Sequence, residues 1–478
     1  MKTPQPIPEH LLKAFYARDR RYDGVFFTGV TSTGVYCRPV CRARKPKREN
    51  CVFFNTAAEA ELADFRPCLL CRPELAPGVS GVAPNSPFVE LEDQTLGERQ
   101  QRRNSKQAFG VTPKQWQRTQ NLLLAKRLLT DTEMSVTDVA FAAGFSSVRR
   151  FNDVFKQRYQ LTPTGLRKTK AQNPEQKDWL RLTLNYRPPY RWQELLAFLA
   201  SRQIYGVEHI TDHSFARSLA LVNRDGSTVH GEIKVTHNEA KHQLALAVSA
   251  GLHPVIATVI DQAKQVFDTQ AQPQLIAENL MAGKIPGNFS DKGLGLRVPG
   301  SFAGFELAVR AVLGQQITVK AAATLSRRFC DRFCQPYQGI QPELTRLPVS
   351  ADVIAHAHVD DIASLGIIAR RAEAIIAIAQ QVCSGQLVLA PGADAEAVIN
   401  QLQAIKGIGP WTANYVALRA LAWPDAFPKE DIVLRKALAG ADATTQTAKQ
   451  AEALSQPWRP WRSYACLYLW KIAHDQSV

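Results

Sequence analysis

The chain has 478 residues, 45% hydrophobic and 21% charged, enough for about three folded domains and inconsistent with a disordered or fibrous protein. No run of about 18 apolar residues occurs, which excludes a membrane-spanning helix, and the start "MKTPQPIPEHLLKAFYARDR" lacks the apolar stretch of a secretion signal, so a cytoplasmic protein with reduced cysteines is expected. Residues 1–80 carry 13 basic against 8 acidic side chains, 81–172 carry 15 against 8, and the remainder 30 against 27, which points to a polyanion bound mainly by the first third.

The first module spans residues 1–75. Cys37-x3-Cys41 and Cys68-x2-Cys71, with 26 residues between the pairs, have the spacing of a tetrahedral zinc site in which each short turn supplies two thiolates. Cys51 lies outside that spacing and reads as a small buried hydrophobe. On spacing alone the site is a closed structural zinc. Its surroundings, "DGVFFTGVTSTGVYCRPVCRAR" and "NCVFFNTAAEAELADFRPCLLCRP", resemble the N-terminal domain of Ada-type DNA methyl phosphotriester repair proteins over residues 14–75. The resemblance implies one zinc ion on Cys37, Cys41, Cys68 and Cys71, with Cys37 both ligand and methyl acceptor. Zinc keeps thiols deprotonated at neutral pH, and a methylated phosphate has lost the charge that would repel a thiolate. Arg38, Arg42, Arg44, Lys45, Lys47 and Arg48 are then candidates for holding the flanking phosphates.

Residues 76–108 begin with the Pro/Gly/Ser linker "APGVSGVAPNSP" and continue as "ELEDQTLGERQQRRN". From Gly97 to Gln107 no apolar side chain occurs, so this stretch is expected to bury no helix face and to be mobile. In 109–170, "SVTDVAFAAGFSSVRRFNDVFKQRYQLTPTGLRK" reads as two helices about a turn at Gly144, with Thr137-Asp138 capping the first. The second would bury Val148, Phe151 and Phe155 and leave Arg149, Arg150, Asn152 and Lys156 for DNA. This segment resembles the second helix-turn-helix of the AraC family, and "TPKQWQRTQNLLLAKRLLTD" resembles that family's joining helix. The family's first helix-turn-helix has no full counterpart. That stretch resembles a deletion or a shifted reading frame and is expected to leave DNA binding mostly nonspecific.

A polar hinge at 171–177 leads into an expected α/β domain, residues 178–290, where "LRLTLNY", "FARSLALV", "EIKVTH" and "QLALAVS" alternate as half-buried antiparallel strands. Residues 291–478 turn helical, making the whole a multidomain α+β protein. In "LQAIKGIGPWTANYVALRA", Gly407 and Gly409 between two helices would let backbone amides approach a phosphate. Asp431 follows 24 residues after Gly407 in "FPKEDIVLRKAL", where it would also suit the cap of the next helix. With "YRPPYRWQELLAFLA", "VRAVLGQQ" and "WRPWRSYACLYLW", these resemble the helix-hairpin-helix glycosylases, specifically alkylbase DNA glycosylase II of the AlkA type.

That resemblance implies excision of 3-methyladenine and other alkylated bases from double-stranded DNA. Asp431 would be the catalytic carboxylate, Phe198, Trp411, Tyr415 and Trp470 the walls of a flipped-base pocket, and Gln316 the wedge. An electron-rich aromatic box would favour cationic bases. Trp411 stands where strand-cutting relatives carry a Schiff-base lysine, so a monofunctional enzyme is expected. Cys330, Cys334, Cys383 and Cys466 lack clustered ligand spacing, so no iron–sulfur cluster is expected, and no "PCHR" methyltransferase motif occurs. A monomer is expected. The competing reading is an alkylation-responsive regulator whose glycosylase half only binds DNA.

Overall fold

The computed structural model describes residues 8–80, 82, 98–167, 178–439 and 445–475; the expected hinge at 171–177 lies outside them. In the first module, helix α1 (Glu9–Tyr16) precedes strands β1 (Phe27–Val30), β2 (Val35–Cys37) and β3 (Cys51–Phe54), followed by helix α2 (Ala57–Leu62) and the two-residue strand β4 (Arg66–Pro67). The sheet order is β3-β1-β2-β4, with β4 parallel to β2. This pairing sets Cys37, at the end of β2, beside Cys68, which directly follows β4.

The stretch after Cys71 is not a loose linker. Arg72 pairs with Glu74 (2.9 Å) and Asp131 (2.7 Å), and Lys126 donates to Glu74 at 2.6 Å with both side chains almost fully buried. Farther along, the carbonyls of Leu75, Gly78 and Val79 accept from Asn185, Arg187 and Gln270. A Pro/Gly-rich composition suits an extended docked strap as well as a free one, because its unpaired carbonyls are open to side-chain donors.

The polar run forms a helix, contrary to expectation: α3 spans Glu98–Phe109. Glu, Gln, Arg and Lys are good helix formers, and a solvated helix needs only one anchored end. Here Ser105 and Phe109 are buried, Ser105 Oγ donates to Val111 O (2.8 Å), and Phe109 packs on Trp116 with ring centroids 4.6 Å apart and against Ala58 of the first module. Next come α4 (Pro113–Asp131), α5 (Val136–Ala142), α6 (Val148–Tyr159) and α7 (Pro163–Leu166). The caps of α5 and α6 are Ser135 and Ser147, not Thr137-Asp138: their hydroxyls accept from Asp138 N (3.0 Å) and Arg150 N (3.2 Å). Gly144 takes the turn with φ +92°, and Phe151 and Phe155 are buried as the pattern required.

A five-stranded antiparallel sheet follows, built from β5 (Trp179–Asn185), β6 (Glu208–Ile210), β7 (Ser214–Val222), β8 (Thr228–Asn238) and β9 (Gln243–Ser249) in the order β5-β9-β8-β7-β6. The alternation read in "LRLTLNY" holds, with Leu180, Leu182 and Leu184 buried. Helices α8 (Trp192–Ala200) and α9 (Ile256–Val266) pack into the core of the sheet, whereas α10 (Pro273–Ala282) and α11 (Phe289–Lys292) bury Ile276, Ala277, Leu280 and Phe289 in the core of the helical unit that follows. The apolar faces of α4–α6 and of this sheet form one continuous core, and Arg127 of α4 donates to Thr183 O of β5 (2.6 Å), so the helix-turn-helix is docked.

The last unit is helical: α12 (Gly304–Leu313), α13 (Val319–Phe333), α14 (Ala351–Ala355), α15 (Val359–Ala363), α16 (Ala369–Cys383), α17 (Ala395–Ala404), α18 (Pro410–Arg419), α19 (Ile432–Ala439), α20 (Ala448–Ser455) and α21 (Arg462–Asp475). Helix α12 is central, packing on α16 and α18, and α18 pairs with α17 across the hairpin glycines. No helix among the described residues is long and apolar enough to cross a membrane.

Candidate functional site

The pocket is organised by α18 and the start of α19. Asp431 precedes α19, and its Oδ1 accepts from the amides of Val433 (2.8 Å) and Leu434 (3.0 Å). Its Oδ2 accepts from Trp411 Nε1 at 2.7 Å. Capping and a site role are therefore not alternatives: the cap fixes one oxygen, and the indole fixes the other at the cavity wall. Trp411 and Tyr415, one turn apart on α18, stack with centroids 5.2 Å apart and planes 7° from parallel. Trp470 on α21 stands 6.4 Å from Tyr415 and stacks at the same distance on Phe198 of α8. Asp431, Trp411, Tyr415 and Trp470 line one cavity of about 1010 Å³, large enough for a nucleobase. Phe198 does not line it: the Arg202 guanidinium lies 3.9 Å over its ring.

Three arginines missed at the sequence level gather at the Tyr415 end. Arg419 is buried and donates to Pro299 O (2.9 Å), Gly300 O (2.9 Å) and Tyr415 Oη (3.0 Å). Arg202 and Arg310 line the cavity. Burial raises the Tyr415 phenol, but Arg419, Arg202 and Arg310 outweigh it and bring it down to about 8. The aromatic box is thus not a free cation receptor, since the faces of Phe198 and Tyr415 already lie near the protein's own guanidiniums, Arg419 being 5.2 and 5.8 Å from the two rings. Arg310 and Arg419 sit in helices and Arg202 in the turn after α8, in stretches whose residue pattern differs little from ordinary amphipathic sequence, so no local signal singles them out.

Gln316 is exposed and holds φ +53°, a left-handed conformation uncommon for a side-chain-bearing residue, at the tip of the loop between α12 and α13. Its neighbour Gln315 ties that loop to the hairpin, Nε2 donating to Gly407 O (3.1 Å) and Thr412 Oγ1 (3.0 Å), and Arg371 donates to Gln315 O. Gly407 needs its freedom: φ is +103°, and a Cβ there would lie 3.3 Å from Arg370 O. Gly409, the residue before α18, faces open space.

In the first module the sulfurs of Cys37, Cys41, Cys68 and Cys71 lie within 4.8 Å of one another, close enough for one tetrahedral zinc ion with Zn–S bonds of about 2.3 Å. Arg38 N donates to Cys71 Sγ at 3.3 Å, a contact suited to a thiolate. Cys37, Cys41 and Cys68 are buried and Cys71 is the most open, so exposure does not single out Cys37 as an acceptor. Two of the six expected phosphate-holding cations are committed elsewhere, and two more make solvent-exposed ion pairs that bind them only weakly. Arg38 is buried against Asp23, Lys45 lies 3.7 Å over the Phe15 ring, and Lys47 and Arg48 pair with Glu49 and Glu9. Arg42 and Arg44 are exposed with no ion pair among the described residues, as are Arg149 and Arg150 on α6.

Four family descriptions match in the order of these units: metal binding domain of Ada at residues 10–74, helix-turn-helix domain at 94–169, AlkA N-terminal domain at 181–303, and HhH-GPD superfamily base excision DNA repair protein at 309–461. The helix-turn-helix match takes in α3. The probable bifunctional transcriptional activator/DNA repair enzyme AlkA of Mycobacterium tuberculosis is 33% identical over 97% of this chain and 96% of its own. DNA-3-methyladenine glycosylase 2 of Escherichia coli is 35% identical over 60% of this chain and 96% of its own. Among solved structures, a 3-methyladenine DNA-glycosylase from Archaeoglobus fulgidus superposes on 62% of this chain and 100% of its own with TM-score 0.51 at 19% identity, a likeness of fold. The chain belongs to the family of the mycobacterial activator/repair enzyme, joining an Ada-type zinc-binding domain and a helix-turn-helix to an AlkA-type helix-hairpin-helix glycosylase domain.

Proposed function

We propose that the protein repairs alkylated DNA in two ways: its C-terminal half releases 3-methyladenine and related bases by hydrolysis, and Cys37 takes a methyl group from a phosphotriester. The observation that carries the first is Asp431, held by two amides and an indole at the edge of a nucleobase-sized aromatic cavity. As the bond between C1′ and the base breaks, positive charge grows on the sugar. The Asp431 carboxylate stabilises it and takes a proton from the incoming water. The charge is met without reorganisation because all three donors already fix the carboxylate.

Trp411 offers no amine to the abasic sugar, which supports base release without strand cutting. Gln316 fills the gap left by the flipped base, and the amides around Gly407 and Gly409, at the N-terminus of α18, hold a backbone phosphate. Cys37, Cys41, Cys68 and Cys71 would hold a zinc ion, which when bound would keep their sulfurs as thiolates. The Cys37 sulfur then displaces the phosphate oxygen at the methyl carbon, leaving an ordinary diester. Arg42 and Arg44 in the first module and Arg149 and Arg150 on α6 hold nearby phosphates. The protein works as a monomer on the chromosome in the cytoplasm.

Asp431→Asn tests the glycosylase. Asparagine caps helices as well as aspartate does, so the fold stays; its single carbonyl oxygen serves the amides of Val433 and Leu434, and the charge is lost together with the acceptor for Trp411 Nε1. Release of 3-methyladenine should fall by at least about 10²-fold, with binding to damaged DNA retained. Normal excision by the Asn variant, or strand nicking and borohydride trapping by the wild type, would sink the assignment of Asp431 and Trp411. Normal excision would also reopen the possibility that this half only binds DNA.

A further inference from the structure

The cavity beside α18 changes character from floor to mouth. Its inner wall is aromatic, with Tyr415 buried and Trp411 and Trp470 half-buried. Two further helices each turn one face to it. Val433, Lys436 and Ala437 of α19 line it, as do Trp470, Ala473 and His474 of α21, residues three and four apart in both cases. On each face the polar member, Lys436 or His474, is exposed, so both stand at the mouth. Arg435, next to Lys436, is occupied elsewhere and donates to Gln446 O (2.5 Å). Lys436 forms no hydrogen bond or ion pair among the described residues. It lies in the last turn of α19, where a cation can serve the end carbonyls, yet it bonds to none of those described. The one carboxylate among the lining residues is Asp431. A nucleotide turned out of a duplex carries a phosphodiester on each side of its sugar. The base can enter an aromatic pocket, but the charged phosphates stay at the mouth. There they meet the field of Asp431, which suits a sugar gaining positive charge and repels phosphate. A cation at the mouth offsets that repulsion.

We propose that Lys436 holds a phosphate flanking the flipped nucleotide at the mouth of the cavity, and so favours the turned-out nucleotide over the stacked one. The inference rests on the glycosylase reading above and adds a second hold on the backbone, separate from the amides around Gly407 and Gly409. The hairpin amides can grip a strand whether or not a nucleotide has left the stack. Lys436 stands where a phosphate arrives only when the base has entered the pocket, so its contribution is confined to the turned-out complex. A lysine suits that task. Its compact charge on a flexible four-carbon stem can follow a phosphate that moves as the nucleotide rotates, whereas an arginine fork is suited to a fixed bidentate geometry. No bond is made or broken at this residue. It shifts the equilibrium between stacked and turned-out nucleotide only by binding the second state better than the first.

The experiment measures binding of the full-length wild type, Lys436→Met and Lys436→Arg to duplexes of one sequence. One is undamaged, one carries a single tetrahydrofuran abasic analogue, and two carry that analogue with a neutral methylphosphonate on its 5′ or its 3′ side. The analogue has no base to release, so binding is read without chemistry, and the methyl of a methylphosphonate is bonded to phosphorus and cannot pass to Cys37. Lys436→Met should cut the preference for the tetrahydrofuran duplex over the undamaged one by about tenfold, and lower the salt slope on the tetrahydrofuran duplex by about one. Lys436→Arg, which keeps the charge, should stay near wild type. On one of the two methylphosphonate duplexes the wild type should fall to the level of Lys436→Met, and the variant should lose nothing further, the non-additivity that marks a direct contact. Equal losses on the undamaged and tetrahydrofuran duplexes would overturn the proposal, as would losses that add with both methylphosphonates. Release of 7-methylguanine by the wild type is scored separately. Its absence removes the glycosylase reading, whereas a wild type that releases the base while the binding comparison fails loses only the role of Lys436.

Discussion

Two sets of arginines divide the molecule. In the first 172 residues Arg42, Arg44, Arg149 and Arg150 are exposed and unpaired among the described residues. In the C-terminal half, where 30 basic side chains nearly balance 27 acidic ones, Arg310 and Arg419 are driven inward and cluster with Arg202 about one phenol. The first set acts at a distance, screened over about 10 Å at 0.1 M salt. The second acts at contact range in a poorly screened interior, where one charge can move a neighbour's proton affinity. Net charge along the chain therefore locates where a polyanion is attracted and says nothing of where charge does chemistry.

The largest test of this division is removal of the outer set. Replacing Arg42, Arg44, Arg149 and Arg150 together by alanine should lower the log–log salt slope of duplex binding by about four, one per lost phosphate contact. Between about 50 and 200 mM salt the wild type should then lose roughly two orders of magnitude more affinity than the variant. Methyl transfer to Cys37, followed by mass spectrometry of its peptide at low protein concentration, should slow in parallel at low salt and converge with wild type at high salt. An unchanged slope would mean these four do not meet the backbone.

Next is the inner set. Arg419→Met leaves the carbonyls of Pro299 and Gly300 without donors inside the fold, so the C-terminal unit should lose about 2–4 kcal/mol. The Tyr415 phenol, brought to about 8 chiefly against its burial by Arg419 with Arg202 and Arg310, should then titrate higher, as read by phenolate absorbance. Because the pair is buried, neither effect should depend on salt. A melting temperature that recovers with added salt would blur the line between the two sets.

What was legible in the sequence follows the same division. Cys37, Cys41, Cys68 and Cys71 are recognisable because metal ligation fixes residue type and spacing locally. The strand at Leu180–Leu184 is legible because half-burial imposes a period of two. Asp431 and its aromatic neighbours were found as a matched set, by resemblance. Most of the failures concern partners far apart in sequence. Arg38 looked free until folding set it against Asp23, and the stretch 72–80 looked loose because its anchors are Lys126, Asp131, Asn185, Arg187 and Gln270. Helix α3 was missed because its few anchoring residues lie at its end, where a hydrophobic pattern does not register. Arg310 lies inside the quoted "VRAVLGQQ", but nothing in that motif shows that folding sets it beside Tyr415.

The smallest effect tests whether the outer region is only an electrostatic surface. Glu61 on α2 is buried between the first module and the helix-turn-helix, accepting from Tyr36 Oη (3.2 Å) and Thr119 Oγ1 (3.0 Å), with Arg158 of α6 at 3.7 Å. Burial pushes its carboxyl up to about 7, against the opposing pull of Arg158, Thr119, Tyr36 and Arg118. Since the folded value lies above the ordinary one, the folded chain keeps a proton that the unfolded chain gives up between about 4.5 and 7. The stability from this group is therefore complete at low pH and is lost as pH rises through 7, by at most about 1.4 kcal/mol per pH unit. Between pH 5.5 and 6.5, roughly, the melting temperature of the N-terminal half should drop by about 2–4 °C. Glu61→Gln, which stays neutral at every pH, should remove that slope while leaving the packing of Tyr36 against α2 in place. Tyr36 directly precedes Cys37, and Arg158 lies on α6, so Glu61 bridges the strand that carries Cys37 and helix α6. If the slope persists in the Gln variant, another group governs the pH dependence of this junction.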